Sequence, residues 1–178
     1  MSEVAQRGVT IWFTGWSGAG KTTIAKKVYQ ELSKQHIKTE LLDGDELRQS
    51  LCKDLGFSEQ DRYTNIERAA YVAKLLTKHD VICLAAFISP YRRMRERARA
   101  EIGAFYEVYV TAPVEELIKR DVKGLYKQSI TGKVKDLTGM GSPYEEPLHP
   151  DLVLQTSLMT IDECKDQVLR LLREGGYL

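Results

Sequence analysis

The sequence predicts an α/β fold in which a five-stranded parallel sheet carries helices on both faces. Short apolar segments alternate along the chain with longer segments whose apolar residues recur every three or four positions. This alternation is typical of strands that are joined by helical crossovers and therefore run parallel. At 178 residues, with 43% hydrophobic and 29% charged residues, the chain has the size and composition of a single globular domain.

The first strand, residues 9–13, leads into a glycine-rich loop. Residues 15–22 fit the pattern G-x-x-x-x-G-K-[ST], and a helix with an apolar residue at every fourth position follows. Glycines permit tight turns in which successive N–H groups point inward and bind phosphate oxygens. Lys21 adds a positive charge for the outer phosphates, and the Thr22 hydroxyl adds a magnesium ligand. The alternative is an incidental glycine-rich turn, but a strand before the loop and a helix after it favour a three-layer P-loop NTPase fold.

The second strand, residues 39–42, ends in an acidic turn that contains Asp43 and Asp45. Ligands of parallel α/β sheets bind at the carboxyl ends of strands, so both carboxylates are expected to face the bound phosphates. An isolated Asp-Gly-Asp sequence is otherwise often only a turn. The most apolar strand, residues 81–87, ends without the acidic residue that many phosphate-loop proteins carry there. We therefore assign the metal or base role to Asp43 or Asp45.

Two further strands and several helices complete the pattern. Strands are predicted at residues 105–110 and 152–155, and helices at residues 46–55, 58–78, 90–102, 113–119 and 160–175. Arg62 and Asn65 lie one turn apart at the start of the long third helix, where a ligand could contact both. A solvated helix N-terminus is the alternative. The arginines of residues 92–99 are expected to form a solvated face, with Arg92 the best placed to reach an anion.

Residues 120–150 differ in composition from the rest of the chain. Basic residues and glycines are interleaved there, and three prolines follow. A segment of this length without periodicity is either disordered or a functional lid. Its aromatic and aliphatic residues, such as Tyr126 and Tyr144, favour a lid. Lids suit small-molecule kinases, because phosphoryl transfer to an alcohol must exclude water.

Charge and cysteine content exclude several classes of protein. The formal net charge of +1 predicts no general attraction to nucleic acid or to a membrane surface. The longest apolar run, residues 81–88, is too short to cross a bilayer. The three cysteines form no C-x-x-C pair, which argues against zinc and suits a reducing cytoplasm. Cys83 and Cys164 are expected in the core, and Cys52 is the only cysteine without an obvious core position. The absence of an N-K-x-D guanine-reading motif argues against a GTPase.

Several spaced motifs together resemble the adenylylsulfate kinases, which use ATP to phosphorylate the 3′-hydroxyl of adenosine 5′-phosphosulfate in sulfate assimilation. The resemblance extends from about residue 8 to the C-terminus. The matching segments are residues 15–23, 42–45 with Arg48, 55–58 with Asp61, Arg62 and Asn65, 87–92, 123–127, 138–139 and 142–145. The resemblance implies ATP and Mg²⁺ as cofactors, a cytoplasmic homodimer, and neither nucleic acid nor membrane as a partner.

The resemblance also implies site residues. It places ATP against Gly15, Trp16, Ser17, Gly18, Ala19, Gly20, Lys21, Thr22, Thr23 and Arg120. It places the substrate against Asp43, Arg48, Phe57, Arg62, Asn65, Ile88, Ser89, Lys123, Gly124, Leu125 and Leu137. Catalytic roles fall to Lys21, Asp43, Asp45 and Ser89, and magnesium ligation to Thr22 and Asp45. Asp43 is expected to orient the accepting hydroxyl in line with the γ-phosphate.

Ser89 matches a serine that is described in the family as a phosphoserine intermediate. In-line transfer between two bound substrates needs no enzyme nucleophile. The alternative is that the backbone of Ser89 lines the substrate pocket.

Leu137 departs from the family pattern, which usually has phenylalanine before the Thr-Gly pair of the lid. The adenine of the substrate would then stack on Phe57 but meet an aliphatic side chain on its other face. Base stacking on a ring contributes about 1 to 3 kcal/mol. Substrate binding is therefore expected to be weakened, and Leu137→Phe is expected to lower the KM for the substrate.

Two other functions share parts of this pattern. A kinase for a nucleoside monophosphate or a small polyol would have the same loop and lid, but Arg48, Arg62 and Asn65 favour a doubly anionic, nucleotide-like acceptor. A non-catalytic nucleotide sensor would not need Lys21, Thr22 and Asp43 together.

Overall fold

The computed structural model describes residues 5–121, 123–135 and 137–178, and the predicted lid residues 122 and 136 lie outside this part of the chain. Five strands were found there: β1 (Val9–Thr14), β2 (Thr39–Asp43), β3 (Ile82–Ala86), β4 (Phe105–Thr111) and β5 (Leu152–Gln155). The helices are α1 (Lys21–Lys34), α2 (Gly44–Gln49), α3 (Glu59–Lys78), α4 (Arg92–Ile102), α5 (Val114–Arg120), α6 (Leu125–Ile130) and α7 (Ile161–Glu174).

The five strands form one sheet in the order β2-β3-β1-β4-β5, and every neighbouring pair is parallel. The predicted fold class is confirmed. Ala86, at the end of β3, pairs with Phe13 of β1 on one side and with Asp43 of β2 on the other. The ends of these three strands therefore lie side by side, and the phosphate loop, the acidic turn and residues 87–90 all leave the sheet at one edge.

Each face of the sheet has its own apolar core, because successive residues of a strand point to opposite faces. Ile11 and Phe13 of β1 belong to the core beneath α1 and α7. Trp12, between them in sequence, belongs to the core beneath α3 and α4, where it stacks on Phe87 and Phe105. The three-layer arrangement thus follows from an apolar β1 that is covered on both sides.

The structure differs from the sequence prediction around α2. This helix ends at Gln49 instead of continuing to residue 55, and the backbone N–H groups of Ser50 and Cys52 both donate to the Leu47 carbonyl in a closing turn. That turn carries Cys52 into the core beneath α3, where it is fully buried. No obvious core position was predicted for Cys52 from the sequence, but the structure buries it in the core. Cys83 and Cys164 are buried as predicted.

The segment of residues 120–150 is ordered into a short helix and several turns among its described residues. α6 begins after Gly124 and packs Tyr126 into the core of the α1 face. Further along, the Glu145 N–H donates to the Pro90 carbonyl at 2.7 Å, which ties the end of the segment to the residues after β3. None of the helices in the described part of the chain is long and apolar enough to cross a membrane.

Candidate active site

The phosphate loop leaves β1 at Gly15, where only glycine fits. A side-chain carbon at this position would lie 2.1 Å from the Val110 carbonyl oxygen of the neighbouring strand. The ammonium group of Lys21 reaches back across the loop and donates to the carbonyl oxygens of Gly15 at 2.8 Å and Trp16 at 2.7 Å. Lys21 therefore closes the loop on itself through these two hydrogen bonds.

Lys21 is only 8% exposed. Burial lowers its pKa from 10.5 to about 7, and the nearby ammonium of Lys123 acts in the same direction. The carboxylates of Asp45 and Asp43 oppose this shift without reversing it. A bound phosphate chain would add negative charge beside the ammonium group, so it would favour the protonated form.

Thr22 and Asp43 join the loop to the end of β2. The Thr22 hydroxyl donates to one carboxylate oxygen of Asp43 at 2.6 Å. The other oxygen accepts the backbone N–H of Asp45 at 2.9 Å and so caps α2. Asp43 is consequently held by both of its oxygens, with its carboxylate directed at the residue predicted to bind magnesium.

Asp45 is exposed and forms an ion pair with Lys123, which precedes α6. The two residues were assigned from the sequence to magnesium and to the substrate, respectively. In the structure they neutralise each other across the gap between β2 and the predicted lid. A metal ion or substrate that uses either side chain must replace this pair.

Arg48 and Phe57 lie together on the protein surface beyond α2. The Arg48 guanidinium lies 4.4 Å from the centre of the Phe57 ring and donates to the Gly56 carbonyl at 2.5 Å. Burial holds the pKa of Arg48 below its ordinary value. The Phe57 ring is 64% exposed, so its free face is open to a flat apolar ligand such as a purine base.

Arg62 and Asn65 lie on one buried face at the start of α3. Arg62 donates to the Phe57 carbonyl at 2.9 Å and to the Thr138 hydroxyl at 2.5 Å. The Oδ1 atom of Asn65 is buried without a hydrogen-bond partner in the described part of the chain. Buried polar atoms are normally paired, because leaving one unpaired costs about 1 to 3 kcal/mol. Substrate binding by Asn65, which the sequence predicts, would pair this oxygen.

The turn that contains Thr138 connects α3 to the phosphate loop. Thr138 accepts the Arg62 hydrogen bond, and the next residue, Gly139, packs directly on the Trp16 ring. A side-chain carbon at Gly139 would lie 2.5 Å from that ring. Leu137 is only 6% exposed and packs in the core of the α1 face. It therefore presents no open face for base stacking opposite Phe57 in this structure.

Ser89 lies after β3 with its hydroxyl turned into the protein. It accepts the Trp12 indole N–H at 3.0 Å and donates to the Thr14 hydroxyl at 3.1 Å. Ser89 is 2% exposed and has a positive φ of 41°, a backbone conformation that is unfavourable for a residue with a side chain. This geometry favours a pocket-lining role for the backbone of residues 88–89 over a nucleophilic role for the hydroxyl, which stays an untested prediction.

Four further predicted residues lie beside the loop or at the start of a helix. Arg120 is placed against the loop, where it donates to the Gly18 carbonyl at 3.4 Å and to the Thr156 hydroxyl at 2.9 Å. Gly124 and Leu125 begin α6 beside Lys123. Thr23, in the first turn of α1, is exposed.

Arg95 and Tyr144 are site-supporting residues that sequence reasoning missed. Arg95 is 1% exposed, forms an ion pair with Glu107 at 3.3 Å and donates to the Ser89 and Glu145 carbonyls, each at 2.6 Å. The Tyr144 hydroxyl is hydrogen-bonded to the Thr14 hydroxyl at 2.9 Å, and burial strongly raises its pKa. Tyr144 lies among the prolines that end the segment of residues 120–150, and this was a signal in the sequence that could have marked it. Arg95 stands in a run of arginines, and nothing in the sequence distinguished it from its neighbours.

Comparisons with known proteins find related sequences over nearly the whole chain. Residues 7–155 match the family model described as adenylylsulphate kinase. An adenylyl-sulfate kinase from Halothermothrix orenii is 51% identical over 173 residues, which cover 97% of this chain and 94% of that protein. A probable adenylyl-sulfate kinase from Pyrococcus abyssi is 50% identical over 171 residues, which cover 96% of this chain and 98% of that protein.

Solved structures show the same fold. The Mycobacterium tuberculosis APS kinase CysC, in complex with AMPPNP and APS, matches with a TM-score of 0.90 and 40% identity, covering 94% of this chain and 99% of that one. A gluconokinase from Sinorhizobium meliloti matches with a TM-score of 0.61, covering 97% of this chain and 94% of that one, but at 12% identity it shares the fold alone.

Proposed function

The chain belongs to the adenylylsulfate kinase family, and we propose that it transfers the γ-phosphate of ATP to the 3′-hydroxyl of adenosine 5′-phosphosulfate. The products are 3′-phosphoadenylyl sulfate and ADP. ATP occupies the loop of residues 15–22, and the acceptor occupies the wall formed by Arg48, Phe57, Arg62 and Asn65. Relatives with this name and the solved structure that contains AMPPNP and APS support the assignment.

One observation in this chain itself supports the proposal. Two consecutive residues, Thr138 and Gly139, contact Arg62 of α3 on one side and Trp16 of the phosphate loop on the other. The acceptor wall and the donor loop therefore belong to one continuous site. The unpaired oxygen of Asn65 lies one helical turn from Arg62 on that wall, where the ribose or base of a nucleotide would supply its missing hydrogen bond.

Magnesium fits the donor set of this site. The Thr22 hydroxyl and the carboxylates of Asp43 and Asp45 are oxygen ligands, and the described residues contain no group of three or more acidic, cysteine or histidine side chains that could hold a metal alone. Mg²⁺ characteristically takes one or two protein oxygens and completes its shell with water and substrate phosphates. We propose that Thr22 and Asp45 hold it, with Lys123 displaced from Asp45. When bound, Mg²⁺ neutralises charge on the phosphate oxygens.

The side chains of the chain itself perform the remaining tasks. Lys21 leaves the loop carbonyls and places its charge on the outer phosphates, where negative charge spreads in the transition state. Asp43, held by Thr22 and the α2 backbone, accepts a hydrogen bond from the substrate 3′-hydroxyl and orients it in line. Lys123 and the residues that follow it close over the acceptor and exclude water, which prevents wasteful hydrolysis.

We further propose that the chain acts as a cytoplasmic homodimer. An APS kinase from Thiobacillus denitrificans, which is 34% identical over 98% of this chain and 30% of that chain, is hexameric. The three cysteines of this chain are free thiols, which is the usual state in a reducing compartment. Sedimentation equilibrium at micromolar concentration tests the assembly: a mass of twice 20.3 kDa is expected, and a single-chain mass would contradict the dimer.

A coupled assay of ADP release tests the function. Purified protein is supplied with ATP, Mg²⁺ and one of three acceptors: adenosine 5′-phosphosulfate, AMP or gluconate. Of the three acceptors, only adenosine 5′-phosphosulfate is expected to stimulate ADP release. ³¹P NMR of the product should show the new phosphate on the 3′-oxygen. Stimulation by AMP or gluconate instead would assign a different kinase, and no stimulation by any acceptor would favour a nucleotide sensor.

A further inference from the structure

Five consecutive carbonyl groups of the phosphate loop each accept a hydrogen bond from a side chain. The Gly15 and Trp16 oxygens accept from Lys21 at 2.8 and 2.7 Å. The next three oxygens accept from side chains that lie far away in sequence. These bonds run from Tyr126 to Ser17 at 2.7 Å, from Arg120 to Gly18 at 3.4 Å and from Thr156 to Ala19 at 2.8 Å.

Such bonds fix the direction of the N–H groups. A peptide unit is planar, and its carbonyl and its N–H point in opposite directions. A carbonyl that is held toward a side chain outside the loop therefore keeps the N–H of the same peptide unit pointing the other way. Phosphate binding by a nest requires the N–H groups to converge before the ligand arrives.

We propose that Tyr126 and Thr156 are positioning residues for ATP, whose hydroxyl groups hold the Ser17 and Ala19 carbonyls outward and so preorganise the phosphate loop. The inference rests on the proposed function only in taking ATP as the ligand of the loop. Neither residue lies in the loop motif, and neither was predicted from the sequence to act on the loop; Tyr126 was predicted to belong to the lid.

Tyr126 is suited to this role by its environment. Its side chain is 1% exposed, and its ring is 4.0 Å from the position that a side-chain carbon at Gly18 would occupy. Burial raises the pKa of Tyr126 to about 12, so the hydroxyl stays protonated and remains a donor at neutral pH. Tyr126 stands three residues after Lys123 in α6, so its hydrogen bond to Ser17 also joins this helix to the donor loop.

Thr156 acts from the opposite side, directly after β5. Its hydroxyl donates to the Ala19 carbonyl and accepts a hydrogen bond from Arg120 at 2.9 Å. Its methyl group lies 3.5 Å from the position that a side-chain carbon at Gly20 would take. A hydroxyl is thus required for the hydrogen bond, and a branched side chain fills the remaining space.

Isothermal titration calorimetry with the non-hydrolysable analogue AMPPNP and Mg²⁺, without acceptor, tests the proposal. Tyr126→Phe and Thr156→Val each remove one hydroxyl at nearly constant shape. Each is expected to raise the Kd about three- to tenfold, the effect of one lost hydrogen bond. Thr156→Ser keeps the hydroxyl and should restore most of the affinity. Tyr71→Phe, which removes an exposed hydroxyl on α3, is the matched control and should bind as the wild type does.

Thermal unfolding of each variant separates positioning from simple stability. A lower Tm with an unchanged Kd in both Tyr126→Phe and Thr156→Val would overturn the proposal, as would equal affinities of Thr156→Val and Thr156→Ser. If Tyr126→Phe does not fold, the affinities of Thr156→Val and Thr156→Ser for AMPPNP still test the proposal. The proposed function is tested separately, because wild-type turnover with adenosine 5′-phosphosulfate is not part of this measurement.

Discussion

The Thr22 hydroxyl donates a 2.6 Å hydrogen bond to the carboxylate of Asp43, and this bond connects the ATP-binding loop to the end of β2. The same carboxylate caps α2 through the Asp45 N–H at 2.9 Å. A capping aspartate needs only one acceptor oxygen. Its second oxygen is therefore available to Thr22, and in the proposed reaction it would accept from the substrate hydroxyl instead.

Asp43→Asn separates these two tasks. The amide oxygen can still cap α2, but the amide nitrogen cannot accept from Thr22 or from the substrate hydroxyl. We expect kcat to fall at least about 100-fold, the range of a lost acid–base or orienting group, while Tm changes little. Asp43→Ala should lose both tasks, with a similar kcat and a Tm lower by about 2–4 °C for a cap of about 1 kcal/mol.

The coupled ADP assay and thermal unfolding measure both variants. Asp166→Asn, an exposed carboxylate of α7, is the control and should match the wild type. Near-normal turnover in Asp43→Asn would remove Asp43 from the catalytic role.

Lys21 is expected to take up a proton when nucleotide binds. Its pKa is lowered to about 7, mainly by burial, so above this pH it is largely neutral. Bound phosphates raise that pKa again. Binding must then draw a proton from the buffer, and nucleotide affinity should fall as pH rises above about 7, by at most about tenfold per pH unit.

The number of protons taken up on nucleotide binding can be measured by titration calorimetry about one pH unit above neutrality, in two buffers of different ionisation enthalpy. Lys21→Met should bind weakly and without proton uptake. Lys123→Met removes a charge that lowers the pKa of Lys21, so it should reduce the uptake. Identical enthalpies in both buffers for the wild type would contradict the prediction.

Asn65→Ala is expected to weaken substrate binding without lowering the stability of the folded protein. Its Oδ1 is buried without a partner in the described residues, so the folded protein loses little or gains slightly when Asn65→Ala removes it. The substrate, in contrast, loses a buried hydrogen bond. We expect the KM for adenosine 5′-phosphosulfate to rise about tenfold with the KM for ATP unchanged and Tm unchanged or higher.

Initial-rate kinetics with each substrate varied in turn, together with thermal unfolding, check this prediction. Gln60→Ala, on the exposed side of the same helix, serves as the control. A lower Tm with an unchanged KM for adenosine 5′-phosphosulfate would mean that Asn65 is structural only.

The sheet and the donor loop were predictable from the sequence because both are encoded locally. The apolar strand 9–14, the glycine pattern and the following helix stand next to one another, and the register of three strands places Asp43 beside the loop. What could not be predicted depends on contacts between distant residues. Arg95 was expected to face solvent with its neighbours, but its partners Glu107 and Glu145 lie more than ten residues away along the chain.

The same limit explains why the core position of Cys52 and the loop contacts of Tyr126 and Thr156 were not predicted. Cys52 became a core residue because α2 ends early and turns, and a helical pattern does not reveal where a short helix stops. Tyr126 and Thr156 lie more than one hundred residues from the loop carbonyls that they bind. No local pattern marks them, since their role depends on the tertiary arrangement of α6 and β5 around the loop.

Arg95 is expected to be a large contributor to stability. Replacing it by Met would leave Glu107 buried without its ion-pair partner and would free the Ser89 and Glu145 carbonyls. Breaking a buried pair in this way costs about 3 to 5 kcal/mol. A Tm lower by at least about 6 °C is therefore expected for Arg95→Met at neutral pH.

The deficit of Arg95→Met should shrink in acid. Burial already raises the pKa of Glu107, and Arg95 is the largest influence that lowers it. Without Arg95 the folded protein holds a proton on Glu107 more tightly than the unfolded chain does, so stability falls as pH rises through the carboxyl range. Arg95→Met with Glu107→Gln should recover part of the loss. A deficit that is independent of pH would show that the ion pair is not its cause.

Leu137→Phe is the variant for which sequence and structure give opposite expectations. The sequence predicts a ring that stacks on the substrate adenine opposite Phe57 and lowers the KM. In the structure Leu137 is 6% exposed, in the same core as Leu117 and Tyr126, so a larger side chain must overpack that core. Overpacking costs about 1 to 3 kcal/mol. We expect a Tm lower by about 3–10 °C and a KM for adenosine 5′-phosphosulfate that does not fall.

Leu137→Met is the matched control, because its volume is nearly conserved and its cost should stay below about 1.5 kcal/mol. Thermal unfolding and substrate kinetics on the three proteins decide between the two expectations. A lower KM with an unchanged Tm in Leu137→Phe would show that the ring leaves the core and reaches the base, since stacking alone contributes about 1 to 3 kcal/mol. A lower Tm would instead show that Leu137 is a core residue, whose packing supports the neighbouring Thr138 and its hydrogen bond with Arg62.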